Sequence, residues 1–281
     1  IHVNDASRSV TVVEQLLGQK RDGFVAETKT QYEKIRVAHA SRQENKKLLS
    51  YEKALANKWQ ADWENYTPVK PKNLGISVFD DLDLKEIAQF IDWTPFFQTW
   101  ELHGRYPKIL EDKVVGEEAK KLFNDAQKML QQIINENWLQ AKAVIGLWEA
   151  KSVNDDVLLL QDGNHLSTFH MLRQQGEKSN LSLADFVSPN QDYFGAFAVT
   201  TGIGIEERIK AFEANHDDYS SIMLKALADR LAEALAEMMH NKVRTELWGY
   251  AQNEGLNNDD LIREKYQGIR PAPGYPACPD H

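Results

Sequence analysis

The sequence predicts an α+β fold in which short antiparallel strands pack with helices, and three observations predict it. The middle of the chain holds consecutive strand-like runs, AKAVIGLWEA, DDVLLLQDGNHLSTFHML and DYFGAFAVTTG, rather than strands alternating with helices. Asp162-Gly163 falls inside the second run as a hairpin signal, which favours antiparallel pairing over a βαβ series. The longest periodic segment, from about Asp217 to Tyr250, carries Ile222, Met223, Ala226, Leu227, Leu231, Ala234, Leu235, Met238 and Val243 on one stripe, as a helix lying on a core does.

The other elements follow in chain order. SRSVTVVEQLLG spaces Val10, Val13, Leu16 and Leu17 as a short amphipathic helix with Gly18 as its stop. From about Asp22 to Trp63 the chain is charged, thinly apolar and free of proline, which predicts a solvated helical arm over residues 1–66. TPVKPKNLG breaks helix and separates that arm from a body at residues 76–281. In the body, DLDLKEIAQFIDW puts Leu84, Ile87, Phe90 and Ile91 on one helical face, and Thr94-Pro95 reads as an N-cap with proline at the first helical position. A helix is expected from about Gly116 to Asn137. A shorter one, NNDDLIREKYQG, has Asn257 or Asn258 as its cap and Gly268 just past its end.

Composition narrows the partners. With 281 residues, 42% of them hydrophobic, the chain can build a substantial core. A net charge of −9 with no basic face disfavours nucleic acid and anionic membrane, and suits a cationic or zwitterionic ligand. No apolar run approaches the roughly 20 residues of a bilayer span, and the single cysteine, Cys278, fits a reducing compartment, so a cytoplasmic protein is expected. The opening IHVNDASRS, without an initiating Met, reads as a cut from a longer polypeptide.

Several motifs bear on chemistry. No HExxH occurs among the eight histidines, and His165 with His170, or Cys278 with His281, falls short of the four ligands of a structural zinc site, so no metal is expected. Gly202 and Gly204 in TTGIGIEE lack the third glycine of a dinucleotide fingerprint and read as a tight turn. Asp229, Glu233 and Glu237 recur every four residues and share a helix face, either a solvated stripe or a negative edge for a cationic group. In GIRPAPGYPACPDH, Pro271, Pro273 and Pro276 stiffen the backbone into an extended path, and Gly274 permits a turn or a close approach to a ligand. Arg270 then offers a planar fork to a ligand carboxylate, or simply pairs with Glu264; both readings stay open on the residues alone.

RPAPGYPACPDH, with IREKYQGI before it, DYSSIMLKALADRLAEALAE upstream and FDDLDLKEIAQFIDWTPFFQTWELHG earlier, resembles the C-terminal reactivation domain of cobalamin-dependent methionine synthases along essentially the whole chain. The resemblance implies a C-shaped single domain on a twisted antiparallel sheet, with flanking helices and a long N-terminal helical arm. It also implies S-adenosylmethionine binding, with Arg270 on the ligand carboxylate, Asp92, Glu233 and Glu264 lining the amino-acid side, and Ala272, Gly274 and Tyr275 contacting ligand through the ribbon. Asp229, and either Glu206 or Glu207, match acids that meet the cobalamin domain.

The implied role is repair: the domain docks on a neighbouring cobalamin-binding domain of the same polypeptide, flavodoxin or a flavoprotein reductase supplies an electron, and S-adenosylmethionine remethylates the oxidised cofactor. Methionine synthesis from homocysteine and methyltetrahydrofolate then resumes. No residue here is expected to act as a catalytic acid, base or nucleophile, and the isolated chain is not expected to turn over. Relative to the family the chain stops early, at His281, and weakened ligand binding is expected from that. Two other classes remain: a self-sufficient methyltransferase, which the missing glycine loop argues against, and a non-catalytic interaction domain with vestigial ligand binding.

Overall fold

Charge and sparse apolar spacing shape the first part of the chain. The computed structural model describes residues 6–19, 21–44, 48–176, 178–275 and 277–278, divided between two units, Ile1–Lys58 with Gln175–Asn180 and Trp59–Gln174 with Leu181–His281. In the first unit α1 (Ala6–Leu17) and α2 (Arg21–Glu44) precede a short α3 (Tyr51–Ala56). The expected helical run from Asp22 to Trp63 is therefore broken. Ser50 adopts an extended conformation and its side chain accepts from Lys53 N at 3.4 Å, so a new helix starts there, and helix ends again at Ala56. Asn57 ties that end down by donating to Asn180 Oδ1 at 3.0 Å and Lys178 O at 2.9 Å. Along α2, Ile35 and Val37 remain 65% and 60% exposed, as the thin apolar pattern predicts.

The second unit is built on one antiparallel sheet. Its strands are β1 (Gly75–Phe79), β2 (Gln140–Val153), β3 (Asp156–Gln161), β4 (Asn164–His170) and β5 (Asp192–Ile203). The long β2 is the spine. β1 pairs with residues 143–147 and β3 with residues 149–153 on one edge of it, while β5 runs along the other. β3 and β4 form the hairpin expected at Asp162-Gly163. β1 has no counterpart in the sequence reading: it is only five residues long, and its alternating Ile76 and Val78 point outward, 70% and 62% exposed.

Because strand side chains alternate, the odd-numbered residues of β2 go to one face. Ala141, Ala143, Ile145 and Leu147 join the main core there with Leu227, Leu231 and Leu235 of a long helix, Asp218–Lys242. α4 (Leu84–Ile87), α5 (Thr94–Thr99) and α6 (Gly116–Asn135) pack around the same helix. In α6 the buried residues Ala119, Leu122, Ala126, Met129, Leu130 and Ile133 keep helical spacing. A smaller cluster, Ala150, Val157, Leu159, Ala184 and Val187, covers the β2–β3 end. Arg173 pins that end: it donates to Asp185 Oδ1 and Oδ2 at 2.7 Å and to Asp155 Oδ1 at 2.5 Å, with its side chain 1% exposed.

After β5, Gly204 turns the chain into α7 (Ile205–Ala214), so TTGIGIEE is the expected tight turn. α8 (Asp218–Lys242) begins with the Asp217 carboxylate accepting from Ser220 N at 3.0 Å, and α9 (Asn258–Ile262) is capped by Asn257. The buried Thr201 hydroxyl of β5 donates to Ala228 O at 2.9 Å, fastening α8 to the sheet. Among the described residues no helix is long and apolar enough to cross a membrane.

Candidate functional site

α8 sets up the site. Leu227, Leu231, Leu235 and Met239 repeat every four residues and are all buried, so the carboxylates two positions later, at Asp229, Glu233 and Glu237, lie about 200° further round the helix, on the side away from them. Those acids are not equivalent. Asp229 and Glu233 are exposed, whereas the Glu237 side chain is only 12% exposed.

Beyond Lys242 the helix widens into a π-helical turn, Val243–Leu247, closed by Trp248 N donating to Val243 O at 2.9 Å. This turn carries Arg244, whose side chain is wholly buried. Arg244 donates to Glu254 Oε2 at 2.9 Å, to His240 Nδ1 at 2.8 Å and to Asn241 Oδ1 at 3.3 Å, and its guanidinium lies 4.3 Å from the Tyr266 ring centre. A buried cation needs such partners.

The segment after α9 returns to this base. α9 ends at Ile262, and Glu264 takes a left-handed φ of +54°, so the helix expected to run to Gly268 stops five residues sooner. Glu254 then clamps the chain: its Oε1 accepts from Gln267 N at 3.1 Å while Oε2 holds Arg244. Tyr250 donates to Gln267 O at 3.3 Å. Gly268, at φ +100°, is required beside it, since a Cβ there would stand 2.7 Å from the Tyr250 oxygen. These contacts deliver Arg270 to α8, where its Nη2 donates to Glu237 Oε2 at 2.9 Å. Its ion-pair partner is thus Glu237 and not Glu264, the pairing that the residues alone had left open.

The ribbon beyond Arg270 is a turn, not the extended path predicted. Tyr275 N donates to Ala272 O at 3.1 Å, with Pro273 and a left-handed Gly274 (φ +91°) between them, and Cys278 N donates to Tyr275 O at 2.9 Å. Proline followed by a positive-φ glycine is the pairing of a type II turn, so local chemistry outweighs proline stiffness here. Ala272, Gly274 and Tyr275 are exposed on it.

Asp92 lies just before α5. Its Oδ1 accepts from Thr94 N at 2.9 Å, which makes Asp92, rather than Thr94, the side chain that supports the start of α5. Asp92 borders an open groove of about 1090 Å³, together with Thr94, Arg105, Asn258 and Arg263 among others. Asn258 joins the two walls by donating to Ile91 O at 3.4 Å.

Burial dominates the electrostatics of the Arg270 cluster. It pushes the Glu237 carboxyl up, with Glu264 and Glu233 adding to the rise and Arg270 and Arg244 opposing it. Burial, then the Arg244 and Arg270 charges, pushes His240 down to about 3, so this histidine is neutral. Its ring stands edge-on to Tyr266 at 4.8 Å. Among the predicted site residues, then, Arg270 bonds Glu237, the charges of Glu233 and Glu264 act on that same carboxyl, the turn of Ala272, Gly274 and Tyr275 follows directly, and Asp92 belongs to the groove. Asp229 is exposed and paired with Arg230 at 2.5 Å; Glu206 and Glu207 occupy the exposed first turn of α7.

His165 and His170 instead bond Thr168 and Asp156, each at 2.8 Å, and the described residues include no cluster able to hold a metal. His281 lies outside the described residues. Sequence reasoning missed Arg244, His240, Glu254 and Tyr266. One signal was present: Arg244 follows His240 by a helical four and lies 18 residues, about five turns, from Ala226 on the apolar stripe, which places it on an inward face.

The family model described as "Vitamin B12 dependent methionine synthase, activation domain" matches residues 83–281. Among solved structures the chain is similar to the crystal structure of the MetH reactivation domain bound to AdoHcy, at 50% sequence identity and a TM-score of 0.79, over 83% of this chain and 74% of that one. The match extends from the residue capping α4 through β2, β3, β4 and β5 and the Arg270 segment, and so the chain belongs to the family of vitamin B12-dependent methionine synthase activation domains.

Proposed function

We propose that this chain binds S-adenosylmethionine around Arg270 and presents its methyl group to a cobalamin carried by a neighbouring domain, reactivating methionine synthase after oxidation. The observation that carries the reading is Arg270 itself, a guanidinium held at the edge of an acidic cluster with its Nε buried and without a hydrogen-bond partner among the described residues. The amino-acid end of S-adenosylmethionine brings the complementary groups, a carboxylate for the guanidinium and an ammonium for the acids. The structure of the relative holding AdoHcy, the demethylated form of this ligand, supports the same assignment.

Arg270 takes the ligand carboxylate in this reading. Asp92, Glu233 and Glu264 line the amino-acid side, and Ala272, Gly274 and Tyr275 supply backbone and ring contacts from the turn. Asp229, with Glu206 or Glu207, faces the docked cobalamin domain. When bound alongside, cobalamin supplies the nucleophilic metal that accepts the methyl group, using one electron from flavodoxin or a flavoprotein reductase. The chain's own residues need move no proton, because methyl transfer from a sulfonium is a displacement governed by position.

Calorimetric titration with S-adenosylmethionine tests the proposal. Saturable one-to-one binding is expected, and Arg270→Ala should weaken it roughly ten- to a hundredfold while circular dichroism stays unchanged. No binding by the parent chain, or an Arg270→Ala variant that binds as well, would sink the assignment.

A further inference from the structure

We infer that Glu237 is a positioning residue that aims Arg270 at the ligand's carboxylate, an inference that rests on the reading above and gives that site a specific support. Glu237 differs from its neighbours on the acidic stripe. Glu233, one turn earlier, is exposed, while the Glu237 side chain is 12% exposed and faces a guanidinium that is 27% exposed. A carboxylate so placed loses most of its water and needs a compensating partner. It finds one only in part. Glu237 Oε2 accepts from Arg270 Nη2 at 2.9 Å, whereas Glu237 Oε1 and Arg270 Nε are both buried without hydrogen-bond partners among the described residues.

A side-on fork would have engaged Nε and Nη2 together. The single carboxylate contact anchors the guanidinium through Nη2 and leaves Nε for a second carboxylate. Satisfying a buried, unpartnered N–H is a gain that a ligand carboxylate can supply and that a ligand without one cannot. The anchor is itself held firmly: Glu237 projects from α8, two turns before Arg244, and Arg244 is fixed by Glu254, His240 and Asn241. Tyr266, whose ring centre lies 4.3 Å from the Arg244 guanidinium, also interacts with Arg270. A side chain with as much rotamer freedom as arginine is thereby restricted before ligand arrives, which lowers the entropy lost on binding.

The test titrates the 281-residue chain and its Glu237→Gln variant with three ligands: S-adenosylmethionine, its decarboxylated analogue, and 5′-methylthioadenosine, which lacks the amino-acid tail. Glu237→Gln should weaken S-adenosylmethionine about tenfold and leave the other two unchanged, and it should add nothing further in an Arg270→Ala background. Should the Gln variant fail to fold, Glu237→Asp, which withdraws the charge by one methylene, carries the same expectation. Unchanged affinity for S-adenosylmethionine, equal weakening of the decarboxylated analogue, or additivity with Arg270→Ala would each overturn the inference while the proposed function stands. A parent chain that binds none of the three overturns the functional reading and the inference with it.

Discussion

Arg244 donates from Nη1 to Nδ1 of His240 at 2.8 Å, and this bond decides where the histidine keeps its proton. A guanidinium has no acceptor, so Nδ1 must carry the lone pair and the proton sits on Nε2. Protonating His240 would place two cations face to face in a buried site.

Acid should therefore destabilise the domain through His240. Its folded value is about 3 against an ordinary 6.5, so the unfolded chain takes up the proton first. This contribution to stability is intact above about pH 6.5 and is lost as pH falls, by about 3 kcal/mol between pH 7 and 4. Glu237 works in the opposite sense: its raised folded value favours the folded state as pH drops towards 4.5, offsetting part of the loss. Urea titrations across this range should show the slope, and His240→Asn, which keeps an acceptor near the Nδ1 position and cannot titrate, should flatten it. An identical slope in the variant would rule out His240 as the source.

The buried ion triad at the β2–β3 end gives a second expectation. Arg173→Met leaves Asp155 and Asp185 without their shared cation, the Asp185 side chain being 2% exposed. Stability should fall by about 3–5 kcal/mol, read from the urea midpoint. Replacing all three residues with apolar ones should recover most of that loss, because the charges then leave together.

Gly268 links stability to the site. Its φ of +100° and the 2.7 Å approach to the Tyr250 oxygen leave no room for a methyl group. Gly268→Ala should cost about 1–3 kcal/mol. Since the same segment delivers Arg270, its affinity for S-adenosylmethionine should fall more than that of Gly176→Ala, where no atom lies within 4 Å of the added Cβ. Equal affinities would show that Arg270 is placed by other contacts.

Asp229 offers a test on the whole enzyme. Its side chain is 65% exposed and, among the described residues, is paired with Arg230, so it can meet a partner on docking. Contacts that differ between two arrangements bias their populations by about 1–3 kcal/mol. Asp229→Asn should leave S-adenosylmethionine affinity unchanged yet slow reactivation several-fold, most where a partner histidine is protonated. Reactivation at the parent rate over the whole pH range would remove Asp229 from the docking surface.

Local pattern alone determined much of this protein. The apolar repeat of α8, the Asp162-Gly163 hairpin and the Asn257 cap involve residues within a few positions of one another, and each occurs where its spacing requires. The blocks carrying the family resemblance are contiguous too, and the family follows from them.

Tertiary structure alone decided how charges were shared. Arg270 had a near candidate in Glu264 and took Glu237, 33 residues away, because the clamp of Glu254 and Tyr250 on Gln267 steers the chain onto α8. β1 exists because β2 offers an edge, not because GISVF insists on being a strand. Periodicity reports which face of an element is apolar, but the partner of a buried charge is chosen by the desolvation it shares with groups brought near only by folding.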